Sequence, residues 1–461
     1  MSSDAESGFS HQQILTVVRG VALCILLAAL DQTIIVPAVP KMAAALGGAR
    51  HIGWIVAAYL LTGTAATPIF GRLSDIYGRP ALLRPALVIF VLASLGCAAA
   101  QNFWQLAALR AVQGIGGAGL ITVAQIAIAD VASPRQRGRY QIYMSGVWGI
   151  ASISGPIAGG LLADHLSWRA IFWINLPLGA LAWVLSMRAL RILPAPDAGA
   201  PAAGARRIDF LGAALLTVSV TLLLLLLSGG GQDFAWMSRV SAGLLTAGAA
   251  VVAVTIWQQN REVAPMLPPR LFTDFTLAGG FIISAANAFA MFGGTLLLPL
   301  YFQFIRHTSA SGSGLLTTPF MLAFVVWSYA GGQISRWLGR TKAIMLAALA
   351  VCLAGLLLLA SMGPHTPLGL CILYMVLLGS GIGLVQPNLT VTIQNAAARR
   401  DVGIATGCML LFRAIGGAFG AALAASALRA SGFAAAFLVC AAASVAAIAV
   451  AAVMRETRLR S

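Results

Sequence analysis

Long stretches of this chain contain no charged residue at all. From Thr217 it reads TVSVTLLLLLLSGG, and comparable apolar runs recur along its whole length. Charged residues make up 9% of the 461, against about 25% in a soluble domain. A chain so poor in charge cannot cover its own surface with polar groups, so most of its surface must face lipid. A membrane-spanning helix takes roughly 20 apolar residues, and a transmembrane β-barrel would instead show alternating segments of about ten. The runs here are long and unalternated, which predicts an all-α polytopic membrane protein.

The apolar segments predict fourteen helices, near 15–37, 52–70, 82–100, 104–128, 140–163, 169–190, 209–228, 238–258, 275–303, 313–334, 342–362, 367–387, 402–427 and 432–454. One low-complexity connection, PAPDAGAPAAGARR from Pro194 to Arg207, reads as a flexible linker. The N-terminal MSSDAESGFSHQQ has no basic n-region, which predicts no cleaved signal peptide. The net charge of +16 does not point to nucleic acid, because the arginines sit singly or in small groups between apolar runs. With the N-terminus placed in the cytoplasm, the connections on that side hold about twenty of the Lys and Arg residues and the opposite side about six. This bias requires an even helix count with both termini inside. The six cysteines lack metal-ligand spacing and read as packing residues. No catalytic triad, metal cluster or phosphate loop is present, so a non-enzymatic protein without cofactors is expected.

A fourteen-residue stretch, GRLSDIYGRPALLR from Gly71 to Arg84, concentrates Arg72, Asp75, Arg79 and Arg84 between two apolar segments. A degraded copy, GQISRWLGRTK, begins at Gly332 and carries Arg336 where Asp75 stands. The repeat predicts two six-helix bundles, residues 1–190 and 273–461. Residues 191–272 would supply the linker and two inserted helices. Paired six-helix halves are one of the known transporter architectures, with a substrate site near the midplane between them.

These residues resemble the major facilitator superfamily and, within it, the fourteen-helix drug:proton antiporter branch. Gly71–Arg79 is similar to the family signature G-x-L-x-D-x-x-G-R between helices 2 and 3. LRAVQGIGGAG (Leu109–Gly119) is similar to its helix 4 signature, with an intramembrane Arg. GPIAGG (Gly155–Gly160) is similar to the helix 5 antiporter signature, and LDQTIIVPAVP (Leu30–Pro40) to the helix 1 signature of the branch. Departures are Val36 for a usual Asn, Ala151 for a usual Gly, and Arg336 for the acid in the second copy. The resemblance implies a proton-coupled antiporter exporting amphipathic or cationic drugs by alternating access; abundant Ala and Arg with almost no Lys points to a GC-rich bacterium and hence to the cell inner membrane, and a monomer is expected. It also implies that Gly71, Arg72, Asp75, Gly78 and Arg79 form a cytoplasmic gate.

Of the thirteen acids, Asp31 alone falls deep in a predicted span. A carboxylate there costs roughly 2.5–3.5 kcal/mol on the insertion scale, so it points to a proton carrier or a counter-ion for a cationic substrate. Arg110 is a second intramembrane charge that could tune it, and Gln113 lies three residues on, on the same face. The resemblance favours a proton-coupling role for this group. Gly155, Gly159 and Gly160 read as close-packing positions and Pro156 as a kink. Candidate cavity residues are Gln32, Trp148, Asn287, Phe292, Trp327, Tyr329, Gln386, Asn388 and Arg413, the last with no acid near it in sequence. Trp54, Trp104, Trp168 and Trp236 read as an interfacial belt. Competing readings are an exporter of a lipid or native metabolite and a transport-inactive receptor or scaffold.

Overall fold

The computed structural model describes residues 9–47, 54–132, 134–192, 209–230, 234–263, 265, 267–308, 310–338, 340–454 and 456. The predicted linker Pro194–Arg207 lies outside them, as do the side chains of Val36, Pro156 and Arg336. Among these residues the chain is helical almost throughout. Twelve stretches are long and apolar enough to cross a membrane. One of them, Val402–Val453, is two helices, because Gly432 breaks it with a left-handed φ of 82°. The shorter apolar helix Phe210–Gly229 completes a set of fourteen.

In chain order these are α1 (His11–Ile34), α2 (Trp54–Tyr77), α3 (Arg79–Ala99), α4 (Phe103–Val131), α5 (Pro134–His165), α6 (Asn175–Leu190), α7 (Phe210–Gly229), α8 (Arg239–Arg261), α9 (Phe275–Phe304), α10 (Ala310–Leu338), α11 (Lys342–Ala360) and α12 (Leu368–Ala396), with α13 before Gly432 and α14 after it. A single turn, Ala170–Trp173, precedes α6. Local chemistry sets several boundaries. Ser10 and Gln13 form a reciprocal capping box at the start of α1. The Asn102 side chain accepts from the Gln105 backbone N–H at the start of α4.

The charged stretch from Gly71 is not a loop, as the sequence suggests. Helix α2 runs through Asp75 to Tyr77, Gly78 turns the chain at φ 86°, and α3 starts at once with Arg79. A non-glycine residue at Gly78 would be held in the left-handed region that side chains disfavour. This one-residue turn fixes Asp75 and Arg79 relative to each other.

Helix α4 packs on both α2 and α3, and α1 packs on α5, α6 and α4. In the second half α12 packs likewise on α10 and α11, and α9 on α13 and α14. The halves meet where α2 crosses α13 and where α5 crosses α10. The inserted pair packs across the first of these seams. Leu216, Val220 and Leu224 of α7 bury against Leu61 and Ala65 of α2 and Leu411 of α13. Helix α8 lies outside α7 with only 11% of its apolar window buried, as expected of a helix whose solvent is lipid. All six cysteines are buried and free, in keeping with packing.

Candidate functional site

Three groups of polar residues stand out against the apolar packing. The first lies inside the N-terminal half. Asp31 on α1 is wholly buried, and three side chains from two other helices donate to it. Arg110 Nη1 reaches Oδ2 at 2.5 Å, Gln113 Nε2 reaches Oδ1 at 2.9 Å, and Asn175 Nδ2 reaches the same oxygen at 2.9 Å. Arg110 is 1% exposed. It also donates to Gln113 Oε1 at 2.7 Å and to the Ile55 carbonyl at 3.3 Å, and its guanidinium lies 4.4 Å from the centre of the Tyr59 ring. The predicted trio Asp31, Arg110 and Gln113 is thus one hydrogen-bonded cluster. Such a buried pair is tolerated because Gln113, Asn175 and the Ile55 carbonyl add hydrogen bonds to both charges.

The sequence reading missed Asn175 and Ser94. Asn175 opens α6 after the break at Ile174, and it bridges Asp31 to Ser94 Oγ at 2.9 Å. The signal was present in sequence, since Asn175 is an amide inside an apolar span just ahead of Pro177. Aligning Gly114 and Gly116 with Gly379 and Gly381 puts the second-half counterpart of Arg110 near Met375, which is fully buried in an apolar cluster, and no ion pair matching Asp31–Arg110 is present there among the described residues.

The second group lies at the α2–α13 seam. Asp75 Oδ1 accepts from Arg79 Nη1 at 2.8 Å and from the Gly403 backbone N–H at 3.0 Å. Its Oδ2 accepts from the Ile404 N–H at 2.9 Å. Arg79 turns its other two nitrogens to Asp130 at 2.6 and 3.1 Å. The first turn of α13 gets no such bond from its own preceding residue, Asp401, whose carboxylate instead pairs with Arg270. Asp75 therefore supplies both the missing acceptors and a negative charge at the positive end of α13. The close approach depends on glycine. A Cβ on Gly71 would stand 2.6 Å from the Gly403 carbonyl oxygen, and one on Gly403 would strike the Asp75 carboxylate. Arg72 is only partly buried and makes no ion pair among the described residues.

In the helix 5 signature, Gly155 and Gly159 face α1, where an added Cβ would collide with Thr33 Oγ1 and with the Ile34 carbonyl respectively. Thr33 also donates to the Ala151 carbonyl at 2.8 Å. The expectation for Gly160 is corrected, because nothing lies within 4 Å of a Cβ there. It sits one residue round the helix from the contact face.

The third group is a cavity between the halves, with about 40 Å³ of room for water-sized groups. It is lined by Gln125, Met144, Trp148, Gly149 and Ser152 from one half and by Met291, Met321, Phe324, Val325, Gln386 and Arg413 from the other. Of the predicted cavity residues, Trp148, Gln386 and Arg413 line it. The others do not. Asn388 is buried and donates to the Leu384 carbonyl at 2.7 Å, and Asn287 is buried within its bundle. Phe292, Trp327 and Tyr329 are exposed over much of their surface, and Gln32 sits beside Asp31, half-buried on α1. The belt expectation also needs correcting at Trp168, which is buried in the bundle with Arg169 over its ring. Trp236 hydrogen-bonds Ser426, whereas Trp104 is largely exposed.

The model of the Major Facilitator Superfamily matches residues 21–421 and 281–460. Multidrug transporter protein MdtP of Bacillus subtilis is 34% identical over 413 residues, which is 90% of this chain and 75% of that one. Multidrug resistance protein fnx1 of Schizosaccharomyces pombe is 32% identical over 402 residues, covering 86% and 75%. An uncharacterized MFS-type transporter of Mycobacterium tuberculosis is 36% identical over 398 residues, and this chain spans 57% of its length. The crystal structure of the human organic anion transporter MFSD10 shares the fold, with a TM-score of 0.70 over 95% of this chain and 99% of that one at 18% identity.

Proposed function

The chain belongs to the major facilitator superfamily, and on that footing we propose that it is a proton-coupled antiporter of the fourteen-helix drug:proton branch, exporting amphipathic compounds across the cell inner membrane. The observation that carries this reading is the Asp31–Arg110 pair, a carboxylate and a guanidinium 2.5 Å apart and closed off from water. A permanent structural ion pair at membrane depth is a poor source of stability, since desolvation offsets most of the attraction. A pair that opens and closes with a proton is a reason to keep one.

In this reading Asp31 carries the proton. It does not line the cavity, and both of its oxygens accept from protein donors, three hydrogen bonds in all. A counter-ion role towards a cationic substrate would need it to face that space. Protonation removes the charge that holds Arg110 and withdraws one acceptor from Gln113 or Asn175. Helices α1, α4 and α6 are then free to shift against one another. Gln113 and Asn175 act as positioning residues.

Gly71, Arg72, Asp75, Gly78 and Arg79 form the cytoplasmic gate, with both termini on that side. While Asp75 caps α13 the gate is shut, and the packing of α5 on α1 through Gly155 and Gly159, with Pro156 and Gly160 beside them, keeps the N-terminal half rigid as it rocks. Export against a tenfold gradient requires about 1.4 kcal/mol. One proton entering down 100 mV supplies about 2.3 kcal/mol, so one carboxylate suffices. Residues 1–190 and 273–461 are the rocking bundles, and 191–272 spans them on the lipid side.

The test uses inverted membrane vesicles with an imposed pH gradient and a panel of fluorescent amphipathic dyes. Wild-type protein should concentrate at least one dye, a protonophore should abolish this, and Asp31→Asn should behave as the protonophore does. Undiminished uptake by Asp31→Asn would remove Asp31 from the mechanism.

A further inference from the structure

The proposal that follows rests on the export reading and specifies its substrate. Arg413, on α13, lines the central cavity. Among the described residues it makes no ion pair and no hydrogen bond, and its only recorded polar contact is a guanidinium-to-ring distance of 6.0 Å to Trp148. Arg110, the buried Arg of α4, behaves differently, since it is bound to Asp31, Gln113 and a backbone carbonyl. The buried acids of both halves are also committed. Asp31 is held by Arg110, Asp75 and Asp130 by Arg79, and Asp401 by Arg270. Among the described residues, no Asp or Glu lines the cavity. An unpaired guanidinium in a low-dielectric wall is costly and is satisfied by an anion.

A second observation comes from the opposite wall. Gln125 of α4 lines the same cavity with the residue 7% exposed, and its Oε1 has no hydrogen-bond partner. That leaves one donor-rich cation on the second half and one free acceptor on the first, facing a shared space. The rest of the lining suits an apolar body. Met144, Met291 and Met321 are flexible and polarizable, and Trp148 and Phe324 offer aromatic surface.

We propose that this cavity, narrow in the present conformation and widened when the halves part, binds organic anions, compounds with an aromatic or aliphatic body and one carboxylate or sulfonate, with Arg413 as the anion anchor and Gln125 accepting from a donor elsewhere on the same molecule. The site thereby selects against cations, which would meet Arg413 with no acid to offset it. The inside-negative membrane potential also favours outward movement of such a substrate.

The test is equilibrium binding to purified, detergent-solubilised protein, read by energy transfer from tryptophan to pyrene. Pyrenebutyrate, its primary amide and pyrenebutylammonium share one body and differ in charge. Wild-type protein should bind pyrenebutyrate at least tenfold more tightly than pyrenebutylammonium. Arg413→Gln should bring that ratio to about one while leaving the amide within about twofold, and Arg413→Lys should keep most of the preference. Equal binding of the carboxylate and the ammonium by the wild type overturns the proposal, and that measurement needs no variant to fold. A preference that survives in Arg413→Gln overturns it as well. Binding with this charge preference in a protein that moves no probe in vesicles would uphold the anion site and count against the export reading instead.

Discussion

The carboxylate of Asp75, near the end of α2, accepts the backbone N–H of Gly403 at 3.0 Å, although the two residues lie 328 positions apart. One half of the protein thus supplies the N-terminal cap for a helix of the other. The bond needs the two bundles to touch at this end, so under the proposed gating role its energy would be a term in the equilibrium between gate-shut and gate-open conformations. Arg79 and Asp130 hold the carboxylate in place from behind.

Replacing Asp75 by Asn removes the charge at the start of α13 and weakens two hydrogen bonds. Bonds to charged groups contribute about 1.5–3 kcal/mol, so the gate-shut population should fall by roughly tenfold or more. Spin labels on α2 and α13 at this end should report a broader, longer distance distribution, and turnover should drop while substrate binding stays near normal. An unchanged distribution would rule out the latch.

Arg79→Lys tests the bridge behind the latch. The guanidinium reaches Asp75 with one nitrogen and Asp130 with two others, which a single ammonium cannot reproduce. Turnover should fall towards that of Asp75→Asn. Wild-type turnover in the lysine variant would show that the fork has no part in gating.

The glycines of the α1–α5 contact should separate by face. Gly159→Ala places a Cβ against the Ile34 carbonyl, while at Gly160 there is open space. Overpacking of this kind costs about 1–3 kcal/mol. Thermal unfolding in detergent should therefore show a clear loss for Gly159→Ala and almost none for Gly160→Ala. Equal losses would contradict the close approach.

Breaking the buried pair from one side should be worse than removing both charges. Arg110→Gln leaves Asp31 buried without its cation, which costs about 3–5 kcal/mol. The double variant Asp31→Asn with Arg110→Gln should recover part of that stability while remaining inactive in pH-driven transport. Strictly additive losses on the two single variants would indicate that the pair is not coupled.

Residue types and their spacing made several of these features legible. Asp31 and Arg110 stand out because charges are so scarce in apolar runs that each one needs a reason. The helices and their approximate ends follow from apolar segments punctuated by Arg, Gly and Pro, and the Asp75 stretch shows itself by its imperfect return at Gly332. Periodicity held more than was taken from it. Gly155 and Gly159 are four apart and share a face, so Gly160 should have been set aside.

What the sequence by itself determined is local and compositional: a membrane protein of many helices, two related halves, and a short roster of expensive polar residues. Tertiary structure decided which of those residues meet. Asp31 and Asn175 are 144 residues apart, and their contact depends on how α1 and α6 are rotated about their axes. Hydropathy says little about that rotation when both faces of a helix are apolar, one facing protein and the other lipid. For the same reason Asn388 and Tyr329 were indistinguishable in sequence from Gln386, which does line the cavity. The isolation of Arg413 among the described residues is likewise a tertiary fact, since only the packed bundles show that Asp31, Asp75, Asp130 and Asp401 already have partners.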